Sequence, residues 1–94
     1  MPHLDHIAER IIKEQELIIG PLAWSEASKV QSLSVDIPHK VVRIVGSDYK
    51  AAIDALVEQY EHLFGRASHE ACRDAVASLV ASMPISDIPQ SLRV

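Results

Sequence analysis

Aromatic side chains are scarce in this chain. Trp24, Tyr49, Tyr60 and Phe64 are the whole set in 94 residues, so any core must be built from Leu, Ile, Val and Ala. A single cysteine, Cys72, excludes an internal disulfide framework. The three glycines, Gly20, Gly46 and Gly65, lie scattered, which leaves neither a phosphate-cradling loop nor a dinucleotide fingerprint. No apolar run approaches the ~20 residues of a membrane span. The opening "PHLDHIAERIIKEQE" is charged throughout and carries no signal-peptide pattern, so a cytoplasmic location without membrane attachment is expected. Basic charge is also short. A net charge of −4 argues against a nucleic-acid partner, which needs a basic face to neutralise phosphates. Lys29, Lys40, Arg43 and Lys50 do cluster against only Asp36 and Asp48, but this reads as a solvated face.

What is present is ordinary globular composition, 48% hydrophobic and 23% charged. Its length fits one domain. The pattern along the chain predicts a globular unit over residues 1–83 and an extended or frayed tail over 84–94, where prolines interrupt alternating apolar residues. The fold class expected is α+β and mostly helical. Its order is helix, helix, β-hairpin, helix, helix, with one layer of helices on a small two-stranded or dimer-extended sheet.

Each element has its own signal. From His3 to Ile19, Leu4, Ile7, Ala8, Ile11, Ile12, Ile18 and Ile19 share one sector at helical spacing, with Asp5, Glu9, Lys13 and Glu16 opposite. Gly20 ends that helix, and Pro21 suits the first turn of a second, running to about Ser32. In "SLSVDIPHKVVRIVG" the period changes to two. With Pro38 and His39 at the turn, Val35 faces Val42 and Leu33 faces Ile44. Pro38 suits a type I or II turn, which is not the primed type of tight hairpins, so a longer or bulged loop is expected. Val41 and Val45 then lie outward beside Arg43, more apolar than a solvated face requires. A third helix follows Ser47, read as its N-cap, with Tyr49, Ala52, Ile53, Leu56, Tyr60, Leu63 and Phe64 on its inner face. Gly65 closes it. Ser68 is read as the cap of a fourth, with an inner stripe from Cys72 to Met83, which Pro84 ends.

The stretch "EHLFGRASHEAC" gathers His62, His69, Glu61, Glu70 and Cys72. His69 and Cys72, three apart on a helix, have the spacing of a metal pair. Cys72 nevertheless falls at the centre of an apolar stripe, and His62 points away from its helix's apolar face, so three ligands do not converge. His3 and His6 form a second exposed pair without supporting groups. "MPHL" resembles the start of the tautomerases, whose amino-terminal proline is the catalytic base and begins a β-strand. Here "DHIAERIIKEQE" follows with a helical pattern, which departs from that family. "SLRV" at the end resembles the ligands of PDZ domains in its last and third-last residues, an ending common by chance. No nucleophile stands in an elbow context with a base partner. No catalytic residue, metal or cofactor is assigned. A carboxylate–histidine pairing of Glu61 or Glu70 with His62 or His69 is the nearest approach to acid–base chemistry.

Signals for a partner are stronger. Leu4, Ile11 and Ile18 recur at seven, and Gln15 falls inside the apolar sector, where a polar residue can fix register at a cost in stability. The function expected is a small non-catalytic interaction or regulatory module. It would form a homo-oligomer, a dimer by expectation, and bind a larger protein. The residues expected to meet partners are Leu4, Ile7, Ile11, Gln15, Ile18, Val41 and Val45. The alternative is a small-ligand or metal-binding protein with a pocket near Trp24 and Tyr60.

Overall fold

A computed structural model describes the backbone of residues 2–92 and the side chains of residues 5–92. Helix α1 spans Pro2–Ile19 and α2 Leu22–Ala27; strands β1 (Leu33–Asp36) and β2 (Val41–Ile44) form the hairpin. Helices α3 (Tyr49–Phe64), α4 (Arg66–Ala75) and α5 (Ala77–Val80) follow, then 3-10 turns at Ile85–Asp87 and Gln90–Leu92. The fold is thus α+β, mostly helical, with a two-stranded antiparallel sheet between the second and third helices. Pro2 lies in a helix and not in a strand, unlike the tautomerase arrangement.

Local chemistry explains most boundaries. Gly20 takes φ +72° just after α1, and its N–H donates to the Glu16 carbonyl at 2.8 Å, a left-handed closure that favours glycine. Helix α2 is shorter than expected. The peptide N–H groups of Lys29 and Val30 donate three residues back, to Glu26 and Ala27, which tightens the chain into turns before β1. The cap of α3 is Asp48 and not Ser47. Its carboxylate accepts the Ala51 N–H at 3.0 Å, three positions on, the reach an N-cap requires. Gly65, at φ +85°, joins α3 directly to α4, and Ser68 lies buried inside α4 instead of capping it. The expected fourth helix is broken at Val76, whose φ of −115° ends α4 before the short α5.

The hairpin register matches the spacing argument: Leu33 pairs with Ile44 and Val35 with Val42. Its loop has four residues, closed by Lys40 N–H to the Ile37 carbonyl at 3.2 Å, with Lys40 itself at φ +54°.

One aliphatic core joins all these elements. Ile7, Ala8, Ile11 and Ile12 of α1 meet Ala23, Trp24 and Ala27 of α2, Ile53, Leu56, Val57 and Tyr60 of α3, and Cys72 and Val76. Leu33 and Val42 contribute the inner face of the hairpin.

The tail departs most from expectation. Residues 84–92 are not extended: they fold back in two 3-10 turns, and Leu92 and Pro89 are fully buried. Polar groups of α3 and α4 hold them. Asp54 accepts both the N–H and the hydroxyl of Ser91, Lys50 Nζ donates to the Ser86 carbonyl at 2.7 Å, and His69 Nε2 donates to the Ser91 carbonyl at 2.6 Å. Arg93 and Val94, on which the PDZ-like ending depends, lie outside the described residues.

Candidate interaction surface

The seven residues expected to meet partners divide into three groups. Ile7, Ile11 and Gln15 are buried within the molecule, at 1%, 0% and 0% exposure. This corrects the seam expectation: α1 does pack against a helix, but the helices are α2, α3 and α4 of the same chain. Ile18, Val41 and Val45 do reach solvent, at 59%, 41% and 56%. Leu4 lies outside the described side chains.

Gln15 shows how complete that internal docking is. Its Nε2 donates to the Ser68 carbonyl at 3.2 Å and to Cys72 Sγ at 3.4 Å. Its Oε1 is buried without a partner among the described residues. A polar residue inside the apolar sector is real, but it addresses α4.

Trp24 and Tyr60 are both core side chains, with 1% and 0% exposure. The Tyr60 hydroxyl donates to the Ala23 carbonyl at 2.7 Å, joining α3 to α2. Burial, with smaller contributions from Cys72 and Glu26, pushes its pKa upward. The Trp24 indole N–H has no hydrogen-bond partner among the described residues. The Lys40 hydrogen bond holds the Glu16 carboxyl below its usual range.

The histidine–cysteine stretch is structural in this geometry. Of the four carboxylate–histidine combinations, one forms: His69 Nδ1 lies 2.9 Å from Glu61 Oε2. The other ring nitrogen is spent on the tail, so neither is free for a reacting group. Cys72 is buried, and desolvation pushes its thiol up to about 12, far from the reactive thiolate. His62 instead lines a shallow surface hollow with Ala55, Glu58 and Gln59. No group of three or more His, Cys, Asp or Glu able to hold a metal occurs among the described residues. Also among them, no helix is long and apolar enough to cross a membrane.

The basic cluster is largely answered by its own molecule. Lys29 pairs with Glu26 at 2.9 Å and Lys40 with Glu16 at 2.7 Å, while Lys50 caps a tail carbonyl. The Lys29 and Gln59 hydrogen bonds hold the Glu26 carboxyl below its usual range. Arg43, on the outer face of the hairpin, has no ion pair among the described residues.

Sequence reasoning missed several exposed apolar groups. Leu17 is 81% exposed and Leu22 46%, flanking Ile18 at the corner between α1 and α2. Leu63 and Phe64, placed on the inner face of α3 by their spacing, are half-exposed because that helix outruns the core at its end. A cleft of about 450 Å³ opens between α4, α5 and the tail, with Val80, Met83, Ile85 and Leu92 among its walls. It exists because the tail folds back, which its sequence does not announce. Comparison with family models, curated proteins and solved structures finds no match for the chain.

Proposed function

We propose that this protein is a small, non-catalytic interaction or regulatory module of the cytoplasm that self-associates and binds a larger protein. The observation that carries the reading is the distribution of aliphatic side chains. The core is closed, with 19 hydrophobic residues buried among the described residues, yet the hairpin still presents Ile37, Val41 and Val45, and the α1–α2 corner presents Leu17, Ile18 and Leu22. Large apolar groups gathered on a small surface favour burial against another chain. The hairpin serves the second copy and the corner around Ile18 the larger partner. The residues with chemical potential are meanwhile engaged in folding: Cys72 in the core, His69 on the tail.

Sedimentation over a concentration series reaching the high micromolar range tests self-association. The protein is expected to pass from monomer to dimer. A monomer throughout removes this half of the reading. Photo-crosslinking side chains at positions 18 and 12 test the other half. Position 18 should capture one defined protein in cells, whereas position 12, fully buried in wild type, should not. Equal yields at both positions would refute a partner site at this corner.

A further inference from the structure

Two hydrogen bonds establish which way the hairpin's peptide groups point. The Val45 N–H donates to the Ser32 carbonyl at 2.8 Å, so those residues form a hydrogen-bonded pair. Alternation makes Ser34–Arg43 and Asp36–Val41 the next such pairs, and turns the peptide groups of Leu33, Val35, Val42 and Ile44 outward. Ile44 obeys this: its N–H donates at 3.0 Å to Asp5 Oδ1 of α1. The outward peptide group of Val42 meets no hydrogen-bond partner among the described residues but is buried with its residue, at 4% exposure, where α1 packs along β2. The β2 edge is therefore covered by α1, and the Lys40–Glu16 pair fastens the loop to the same helix.

The β1 edge is different. The Leu33 N–H is taken by the Val30 carbonyl at 3.1 Å, but the N–H and carbonyl of Val35 meet no partner among the described residues. Among the described residues no further strand lies beside β1. A sheet with one closed and one open edge can add a second copy once and no more. It ends as a two-fold dimer and not as a fibre.

We propose that β1 pairs antiparallel with β1 of a second copy about a two-fold axis at Val35, giving a four-stranded sheet in the order β2–β1–β1–β2. This rests on the self-association reading above and supplies its seam and register. The register follows from the side chains. Centred on Val35, the inner face carries an unbroken row of Val42, Val35, Val35 and Val42. Ile37, which is 43% exposed, gains the second copy's Leu33 as its neighbour. On the outer face Ser34 meets the second copy's Asp36. Arg43, which neighbours Ser34 on β2, reaches over that small side chain toward the same carboxylate.

The neighbouring registers do worse. An axis at Asp36 sets two carboxylates face to face, which opposes pairing. An axis at Ser34 places Ile37 against Gln31, where it gains no apolar cover. Intermediate registers oppose outward peptide groups to inward ones.

The test is disulfide mapping together with sedimentation. Chains carrying Ser34→Cys are mixed with chains carrying Asp36→Cys and oxidised; the native Cys72 is buried and takes no part. Cross-strand pairing at this register predicts mixed disulfides several-fold in excess over either homodimer. Val35→Pro removes the outward N–H and should weaken the dimer at least about tenfold. If that variant does not fold, the cysteine mixture still decides. Wild type that remains monomeric refutes both this proposal and self-association. A wild-type dimer that keeps its affinity in Val35→Pro, or Ser34→Cys chains that link preferentially to each other, overturns the β1 seam and leaves self-association standing.

Discussion

Replacing Gln15 by Met removes an amide from the centre of the core while keeping the length and flexibility of the side chain. Gln15 is fully buried, its Nε2 donates at 3.2 Å to the Ser68 carbonyl and at 3.4 Å to Cys72 Sγ, and its Oε1 has no partner among the described residues. The first bond is long and the second goes to sulfur, a weak acceptor, and the Ser68 carbonyl keeps its role as an acceptor within α4. Their loss costs roughly 0.5–1.5 kcal/mol, while relief of a buried unsatisfied acceptor returns roughly 1–3 kcal/mol. The thioether fills the same volume and adds apolar contact to Cys72. The net expectation is a gain of about 1 kcal/mol, which for a domain of this size raises Tm by roughly 4–8 °C. Urea denaturation should show a higher midpoint with an unchanged slope. The oligomeric state should not change, because Gln15 faces α4 and not another chain. A fall in Tm would mean that Oε1 is satisfied and the amide contributes more than its geometry implies. A changed oligomeric state would restore α1 as an intermolecular seam.

Leu92→Ala should cost roughly 2–5 kcal/mol by urea denaturation, the range for a buried leucine, although the residue lies in a segment whose sequence looks like a frayed tail. A loss within experimental error would show that the tail's docking contributes nothing. Stability should also fall in alkali, with the sign set by two raised pKa values. The folded core keeps the Cys72 thiol protonated up to about 12, against an ordinary 9.0, chiefly through desolvation, and burial likewise raises Tyr60. The unfolded chain releases these protons first, so their contribution is complete below the unfolded values and declines as the pH climbs from 9 toward 12. Cys72→Ala should flatten the lower part of that decline in urea midpoints; identical slopes for the two proteins would refute the assignment.

How far the sequence could be read depended on whether the deciding interaction was local. The hairpin register was legible because alternation from Leu33 to Ile37 and from Val41 to Val45 leaves one choice that buries a whole face. Helix α3 was legible for the same reason at a different period, and Gly65 marked its end. The cap was misplaced by one residue because Ser47 and Asp48 are both good caps, and only the backbone decides which reaches Ala51. The partner residues were harder. Spacing identifies Ile7, Ile11 and Gln15 as one face of α1, but it says nothing of whose helix covers that face. Here the covering helices come from up to 57 residues away in the same chain, as the Gln15–Cys72 contact shows. The tail was illegible because its anchors are long-range: Asp54 carries no signal in sequence, and the spacing of His69 points to Cys72 and not to Ser91.

That displacement bears on what the molecule does. Polar residues, His69 and Cys72 among those that looked most chemical, hold distant segments together. His69 bridges Glu61 and the Ser91 backbone, Cys72 accepts from Gln15, and Asp5 closes the β2 edge. Each satisfies a polar group that folding would otherwise strand, an obligation that falls heavily on a small domain with many short elements. What such a chain leaves outside is then informative, because it is what folding did not need. Here that remainder is a set of aliphatic side chains and one strand edge with an unmatched peptide unit at Val35. Groups of this kind stabilise contact with another chain and offer little to a small polar substrate. In the proposed dimer the covered β2 edge limits that contact to a single added strand, so the same Asp5 that completes the fold would also limit the assembly. Asp5→Ala should therefore do more than loosen the hairpin. By freeing the Ile44 N–H it opens a second edge, and sedimentation should then reveal species larger than a dimer. If Asp5→Ala weakens the fold yet stops at the wild-type assembly, Asp5 is a brace for α1 alone, and the size of the assembly is set elsewhere.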